Sequence, residues 1–256
     1  METTTATCPH GYGDFGAFST AYNTGRQGYP QEVIELFWLL VKDLPSRVLD
    51  IGCGTGISTR QLAARGGEII GCDPDEEMLN VAKSYQGYNI EYIQARAEKI
   101  PFENEVFDAV TAFGAFHWFY NAQAISEIRR VLKHGGLFFV VNKNDRAEFK
   151  KDYRDIVCNV VENIPPHVKA LYDPQEILVQ AGFTEVHRRG FDHKEYFTMA
   201  QALQYFQSTS LWGIVPEHRR EGTKQKIEEC YGTKMIGGIL TRPLEVSVIY
   251  GYNGFD

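Results

Sequence analysis

Apolar residues recur along the first 142 positions in two alternating rhythms. Val33, Ile34, Phe37, Trp38 and Val41 fall at helical spacing over Gln31–Lys42, and Pro30 suits a helix start. Arg47–Ile51 is a short run of β type that ends in glycines. Ser58–Arg65 then reads as a helix closed by Gly66 and Gly67, and Glu68–Cys72 as a second strand. Asp75 is placed to cap a helix reaching about Tyr85, with Glu76 and Glu77 in the first turn, where the helix dipole favours acids. Ile90–Ile93 and Phe107–Phe113 read as strands. Asn121 caps a helix through Lys133 that carries Ile125, Ile128 and Leu132 on one face, and Leu137–Asn142 reads as a fifth strand. This alternation predicts a parallel sheet covered by helices on both faces, joined by right-handed crossovers.

The pattern changes after residue 142. Phe149–Ile164 reads as a helix that stops before Pro165 and Pro166, and Asp173-Pro174 opens another that Gly182 ends. Thr184–Phe197 reads as a strand or a bent pair of strands. Met199–Tyr231 is mostly helical with a break around Gly213–Pro216, and Leu244–Tyr250 alternates as a final strand. The segments near 149–164 and 199–231 fit poorly as crossovers and are expected to form a helical cap over the ligand end of the sheet.

Composition narrows the class. The chain has 256 residues, 43% hydrophobic and 23% charged, which suits one large globular domain or a core domain with an insertion. A net charge of −7 disfavours a nucleic-acid backbone or an anionic membrane as partner and favours a small molecule. Cys8, Cys53, Cys72, Cys158 and Cys230 are scattered and form no C-x-x-C pair, so neither a disulfide framework nor a thiolate metal site is expected. The histidines show no metal-ligand spacing. Met1–Tyr12 lacks the apolar core of a signal peptide, and Val33–Val41 is too short to span a bilayer. A cytoplasmic chain is expected.

The stretch with the most chemistry is Val48-Leu49-Asp50-Ile51-Gly52-Cys53-Gly54-Thr55-Gly56, between a strand and a helix, where open sheets bind ligands. A dinucleotide fingerprint would place its third glycine at position 57, which is Ile57, and Asp50 would repel a pyrophosphate. Asp50 suits a cationic head such as the amino group of an amino acid. Asp73 closes the second strand 17 residues past Gly56, near the spacing at which a carboxylate takes a ribose hydroxyl pair.

VLDIGCGTG followed by GCDPDEEML resembles the nucleoside-binding half of class I S-adenosylmethionine-dependent methyltransferases. Ala95–Phe102 leading to Val106–Val110 is similar to the adenine-contacting loop and fourth strand of the type 11 methyltransferases, and the resemblance spans roughly residues 15 to 142. It implies a Rossmann-like, seven-stranded, mostly parallel α/β sheet with helices on both faces. It implies that Asp50, Gly52 and Gly54, with Cys53, Thr55 and Gly56 in the same turn, meet the methionine part of the cofactor. Asp73 would bind the ribose, Pro74 and Met78 would pack on the adenosine, and Ala97 and Glu98 would line the adenine edge. Phe113 and Gly114 would approach the sulfonium. Arg96 departs from the pattern, since many relatives carry an aspartate that accepts from the adenine amino group; Glu98 is the alternative acceptor.

Tyr22, Arg26, Tyr29 and Pro30 resemble the N-terminal segment of trans-aconitate-methyltransferase-like enzymes, where residues 1–30 would close over the cofactor and residues 31–256 would form the transferase domain. Tyr22 and Arg26 are carried over as cofactor contacts. Ala115–Phe119 is similar to their His-Trp element, which makes His117 the candidate base and Tyr29, Phe116 and Trp118 candidate walls of the acceptor pocket. Cys53 reads as small filler rather than a nucleophile. The expected function is methyl transfer to a small molecule at oxygen, nitrogen or carbon, with a carboxylate among the acceptors. An RNA or protein methyltransferase and a non-catalytic cofactor-binding module are the alternatives.

Overall fold

The computed structural model describes residues 16–41, 46–85, 87, 89–146, 149–161 and 172–254. The strands are β1 (Arg47–Ile51), β2 (Glu68–Asp73), β3 (Ile90–Gln94), β4 (Phe107–Phe113), β5 (Leu132–Asp145), β6 (Phe183–Phe197) and β7 (Leu240–Asn253). They form one sheet in the order β3-β2-β1-β4-β5-β7-β6. The pairs β1–β2, β1–β4, β2–β3 and β4–β5 are parallel, with Asp50 opposite Gly71 on one side and Thr111 on the other. β7 runs the other way. Asn253 at its end donates to the carbonyls of Leu132 and Lys133 at the start of β5, whereas Arg146, just past the end of β5, donates to Pro243 early in β7. The helices are α1 (Ser19–Gly25), α2 (Gln31–Leu40), α3 (Ile57–Ala63), α4 (Glu76–Ser84), α5 (Ala122–Val131), α6 (Phe149–Cys158), α7 (Pro174–Gln180), α8 (Met199–Gln207), α9 (Ser210–Gly213) and α10 (Glu217–Gly232).

The chain divides into two compact units, and the larger comprises residues 28–144, 168–193 and 244–256. Its strands are apolar on both faces because both faces are covered. Leu137, Phe139 and Val141 of β5 join Val33, Phe37 and Leu62 in one core, while Phe138 and Val140 join Ala124, Ile128 and Leu178 in another. Asp75 caps α4 by accepting from the amides of Glu77 and Met78, and Asn121 caps α5, both as the sequence leads one to expect. The smaller unit comprises residues 1–27, 145–167 and 194–243. Its own core gathers Tyr153, Phe197, Tyr205, Phe206, Trp212, Ile227 and Tyr231. α1 packs so closely on α8 that a Cβ on Gly25 would lie 2.4 Å from the Gln204 carbonyl carbon. Arg242 is 1% exposed there, donating to Asp145 at 2.5 Å and Glu195 at 2.6 Å. Burial opposes charge on Asp145, yet Lys150 and Arg242 hold its carboxyl down to about 2.

Several boundaries differ from the sequence expectation. β5 begins at Leu132 rather than Leu137, because the Lys-His-Gly-Gly run joins the sheet through a register shift between Phe107 and Ala109 of β4. Thr184–Phe197 is one strand, extended by Phe183, and β7 starts at Leu240. The helix expected to run to Ile164 ends at Cys158; positions 162–166 lie outside the described residues, as do residues 1–15 of the N-terminal segment. Among the described residues no helix is long and apolar enough to cross a membrane.

Candidate functional site

The turn from β1 into α3 needs its glycines for the backbone. Gly52, Gly54 and Gly56 have φ of 68°, 54° and 76°, a region L-residues avoid. Space matters as much. A Cβ on Gly52 would sit 2.5 Å from Ala115 Cβ, and one on Gly56 would sit 2.2 Å from Tyr92 Oη. The turn also uses its own donors. Gly52 and Cys53 donate to the Cys72 carbonyl, Gly56 donates to Cys53, and Gly54 donates to Asp73 Oδ2 at 2.9 Å. A phosphate would need these N–H groups free and pointing at it. The turn therefore offers curvature and a carboxylate, not an anion cradle.

Asp50 is fully buried and accepts from three hydroxyls: Ser58 at 2.8 Å and Thr59 at 2.7 Å on Oδ2, and Thr111 at 2.8 Å on Oδ1. Burial pushes its carboxyl above the usual range, and the three hydroxyls act against that shift. The carboxylate expected to face a cationic head is thus sealed under the turn, where it ties β1 to α3 and β4. Replacing Asp50 with alanine leaves three buried hydroxyls without an acceptor, so about 3 kcal/mol of folding stability should be lost, roughly 1 per hydroxyl. Urea unfolding measures this, and a loss below about 1 kcal/mol would remove the strut role.

Asp73 keeps a more open position. Its Oδ1 accepts from the Asp75 amide at 2.9 Å and its Oδ2 from Gly54, which leaves lone pairs on both oxygens. Burial pushes its carboxyl upward, against those two amide donors. Pro74 beside it is exposed, while Met78 on α4 is 4% exposed. Ala97 is buried, and Glu98 accepts from Asn121 Nδ2 at 2.9 Å with Arg96 Nε 3.6 Å from its other oxygen. Arg96 therefore steadies the Glu98 carboxylate. Cys53 and Cys72 are buried, and burial followed by the Asp73 and Asp50 charges pushes both thiols up, so neither supplies a thiolate. The Thr55 hydroxyl is buried in the turn as well.

Past the end of β4 the chain turns at Gly114, φ 66°, whose amide donates to Val141 at 2.7 Å. Tyr29 packs edge-on against Phe113 with centroids 4.7 Å apart, and its hydroxyl would lie 3.0 Å from a Cβ on Gly114. Gln61 holds both the amide and the carbonyl of Tyr29, and Lys143 lies 4.7 Å above its ring. Tyr29, expected as a wall of the acceptor pocket, stands beside Phe113 and Gly114. His117 and Trp118 occupy a short 3-10 turn with ring centroids 4.8 Å apart, and Trp118 is partly exposed. Phe116 departs from expectation. It is fully buried against Phe119, Phe138 and Tyr172, so it is core rather than pocket wall.

Tyr22 and Arg26 belong to the smaller unit. Arg26 donates to the Ser208 hydroxyl at 2.7 Å and its carbonyl at 3.0 Å, with its guanidinium 4.9 Å from the Tyr22 ring and 5.1 Å from that of Tyr205. These bonds give it a definite structural task. Tyr92 was missed from sequence; its neighbour across the turn, Gly56, was the available signal. No group of three metal-ligating side chains occurs among the described residues.

The family described as the methyltransferase domain matches residues 49–140. The chain is 31% identical over 221 residues to an uncharacterized methyltransferase of Mycobacterium bovis, covering 86% of each. Its fold is similar to that of a type II methyltransferase from Anaeromyxobacter dehalogenans, with a TM-score of 0.65, 22% identity, and 90% of this chain and 99% of that one covered. It is also similar to phosphoethanolamine N-methyltransferase 2 of Haemonchus contortus in complex with S-adenosyl-L-methionine, with a TM-score of 0.54 and 17% identity over 94% of this chain and 57% of that one.

Proposed function

The chain belongs to the S-adenosylmethionine-dependent methyltransferases, and from that premise we propose that it methylates a small molecule at oxygen, nitrogen or carbon in the cytoplasm. The observation that carries the cofactor assignment is the turn itself. Its amides are internally engaged while the Asp73 carboxylate beside them retains acceptor capacity, which suits nucleoside hydroxyls and not a diphosphate. The bound cofactor supplies an electrophilic methyl group whose sulfonium sulfur leaves as a neutral thioether.

The chain's own residues position and shield. Asp73 takes the ribose hydroxyls; Pro74 and Met78 flank the adenosine; Ala97 and Glu98 meet the adenine edge. Gly52–Gly56, Phe113 and Gly114 accommodate the methionine part, and Tyr29 closes beside Gly114. His117 withdraws the proton from a weakly acidic acceptor, and Trp118 forms part of the acceptor wall. Since the leaving group is neutral, most of the rate gain comes from orientation. The acidic balance and the small-molecule class of the phosphoethanolamine neighbour support the acceptor reading.

Calorimetric titration with S-adenosylhomocysteine, joined to a screen of metabolite extract with tritium-labelled methyl donor, tests this. Heat with the nucleoside and label in the small-molecule fraction are expected. Heat with NADH instead would overturn the cofactor, label in RNA or protein would overturn the acceptor class, and binding without transfer would leave a cofactor-binding module. His117→Ala should lower turnover at least about tenfold while cofactor affinity stays put; full activity would assign the ring a structural part.

A further inference from the structure

The cofactor carries a carboxylate as well as an ammonium and a sulfonium, and the residues already placed around it offer that anion little. Asp73, Glu98 and the buried Asp50 are acids. The amides of Gly52, Cys53, Gly54 and Gly56 already serve acceptors within the protein. An anion brought among carboxylates, away from bulk water, needs a cation beside it. Arg26, expected as a cofactor contact, gives its Nε and Nη2 to Ser208.

The larger unit holds a cation at its methionine end. Phe113 pairs with Val141 across β4 and β5, and Gly114 donates to the Val141 carbonyl. Lys143 lies two residues further along β5, about 7 Å past that pairing. Alternation gives it the face of Phe139 and Val141, which share a core with Phe113. This carboxyl end of the strands is where open sheets take their ligands. The Lys143 ammonium is fixed there. Its Nζ donates to the Gly28 carbonyl at 2.7 Å and lies 4.7 Å from the centre of the Tyr29 ring. Gln61 holds Tyr29 at both backbone groups and also packs on Gly28, where a Cβ would lie 2.7 Å from Gln61 Oε1. Tyr29 carries the arrangement onward by packing on Phe113 and bringing its hydroxyl to Gly114. Arg60, also near the glycine turn, serves the opposite side. It donates to the Thr55 carbonyl and lies 5.1 Å over the ring of Tyr85, at the end of the helix that carries Met78.

We propose that Lys143 is the counter-ion of the cofactor's α-carboxylate. This rests on the methyltransferase reading above and adds to it a residue that the sequence motifs do not mark. An ammonium carries three hydrogens, so it can keep the Gly28 carbonyl and meet a carboxylate oxygen as well. A charge-assisted bond of this kind is among the stronger ones a site can offer. The consequence is selectivity: a nucleoside with an intact amino-acid tail is preferred to one that keeps the adenosine, the thioether and the amine but lacks the carboxylate.

Calorimetric titration of the full chain with S-adenosylhomocysteine and with its decarboxylated analogue, S-adenosyl-3-thiopropylamine, tests this. The parent should bind S-adenosylhomocysteine at least about tenfold more tightly than the analogue. Lys143→Gln keeps a donor for Gly28 and removes the charge. It should weaken S-adenosylhomocysteine at least about tenfold, while the analogue binds no more than about twofold more weakly than to the parent. Lys143→Arg keeps the charge and should retain a preference of at least about fivefold. Equal binding of the two ligands by the parent would overturn the proposal without any variant. So would unchanged affinity for S-adenosylhomocysteine in Lys143→Gln, which would free the ammonium for the methyl acceptor. Equal weakening of both ligands would overturn it too, leaving Lys143 as a prop for Tyr29. A parent that binds neither nucleoside would sink the methyltransferase reading as well, a result separate from the others.

Discussion

Asp73→Ala is expected to raise the dissociation constant for S-adenosylhomocysteine at least about tenfold, since two hydrogen bonds to a charged acceptor are lost and each is worth about 1.5–3 kcal/mol. The structure makes the effect larger than a ribose contact alone. The same carboxylate holds the Gly54 amide across the turn and the Asp75 amide after β2, so its removal also loosens the turn that must accept the cofactor. Asp73→Asn separates the two contributions: it keeps an acceptor for one amide and abolishes the charge. The pH dependence carries the sign. Burial raises the folded pKa of Asp73, so the ionised form that accepts both hydroxyls is present above that raised value and lost as pH falls through it. Cofactor affinity should therefore decline on acidification at a pH where an ordinary aspartate is still charged, and Asp73→Asn should flatten that limb. Calorimetry across the acid range measures it. Unchanged affinity in Asp73→Ala would withdraw the ribose assignment.

The contrast between Asp73 and Asp50 shows what sequence conveys and what it withholds. Both acids lie in motifs legible from residue order, and strand boundaries such as Arg47–Ile51 and Phe107–Phe113 follow from apolar runs punctuated by glycine. Exposure does not follow. Asp50 is sealed because Ser58, Thr59 and Thr111 happen to converge on it, and Thr111 is 61 residues away. Arg26 likewise finds Ser208 across 182 residues, a partnership no local pattern announces. The Lys133–Gly136 run lacks strand character, and only a bulged pairing with β4 brings it into the sheet. Asn142 reads as the last polar residue of an apolar strand. The fold places Tyr172 beside it.

Gly56→Ala should abolish measurable cofactor binding while most of the fold survives. The turn requires φ of 76° there, which costs an L-residue about 1 kcal/mol. The steric demand is worse. The new methyl would lie 2.2 Å from Tyr92 Oη, 2.8 Å from Cζ and 3.0 Å from Cε1. Tyr92 cannot retreat on its other side, because its ring already fills the space over Gly71, where a Cβ would meet Cδ1 and Cε1 at 2.8 Å. One of three things must move: the ring, β3, or the turn. The turn is where Gly54 reaches Asp73, so any shift passed to it disturbs the binding carboxylate. Tyr92→Phe in the Gly56→Ala background removes the 2.2 Å contact but leaves the Cζ contact and the backbone strain, so it should restore affinity only in part. Gly135→Ala is the control: its φ is 69°, yet nothing lies within 4 Å of the added carbon, so binding should be kept with a small loss of stability. Thermal melts and calorimetry on the four proteins separate strain from collision. Parent-like affinity in Gly56→Ala would mean that the cofactor does not depend on this turn.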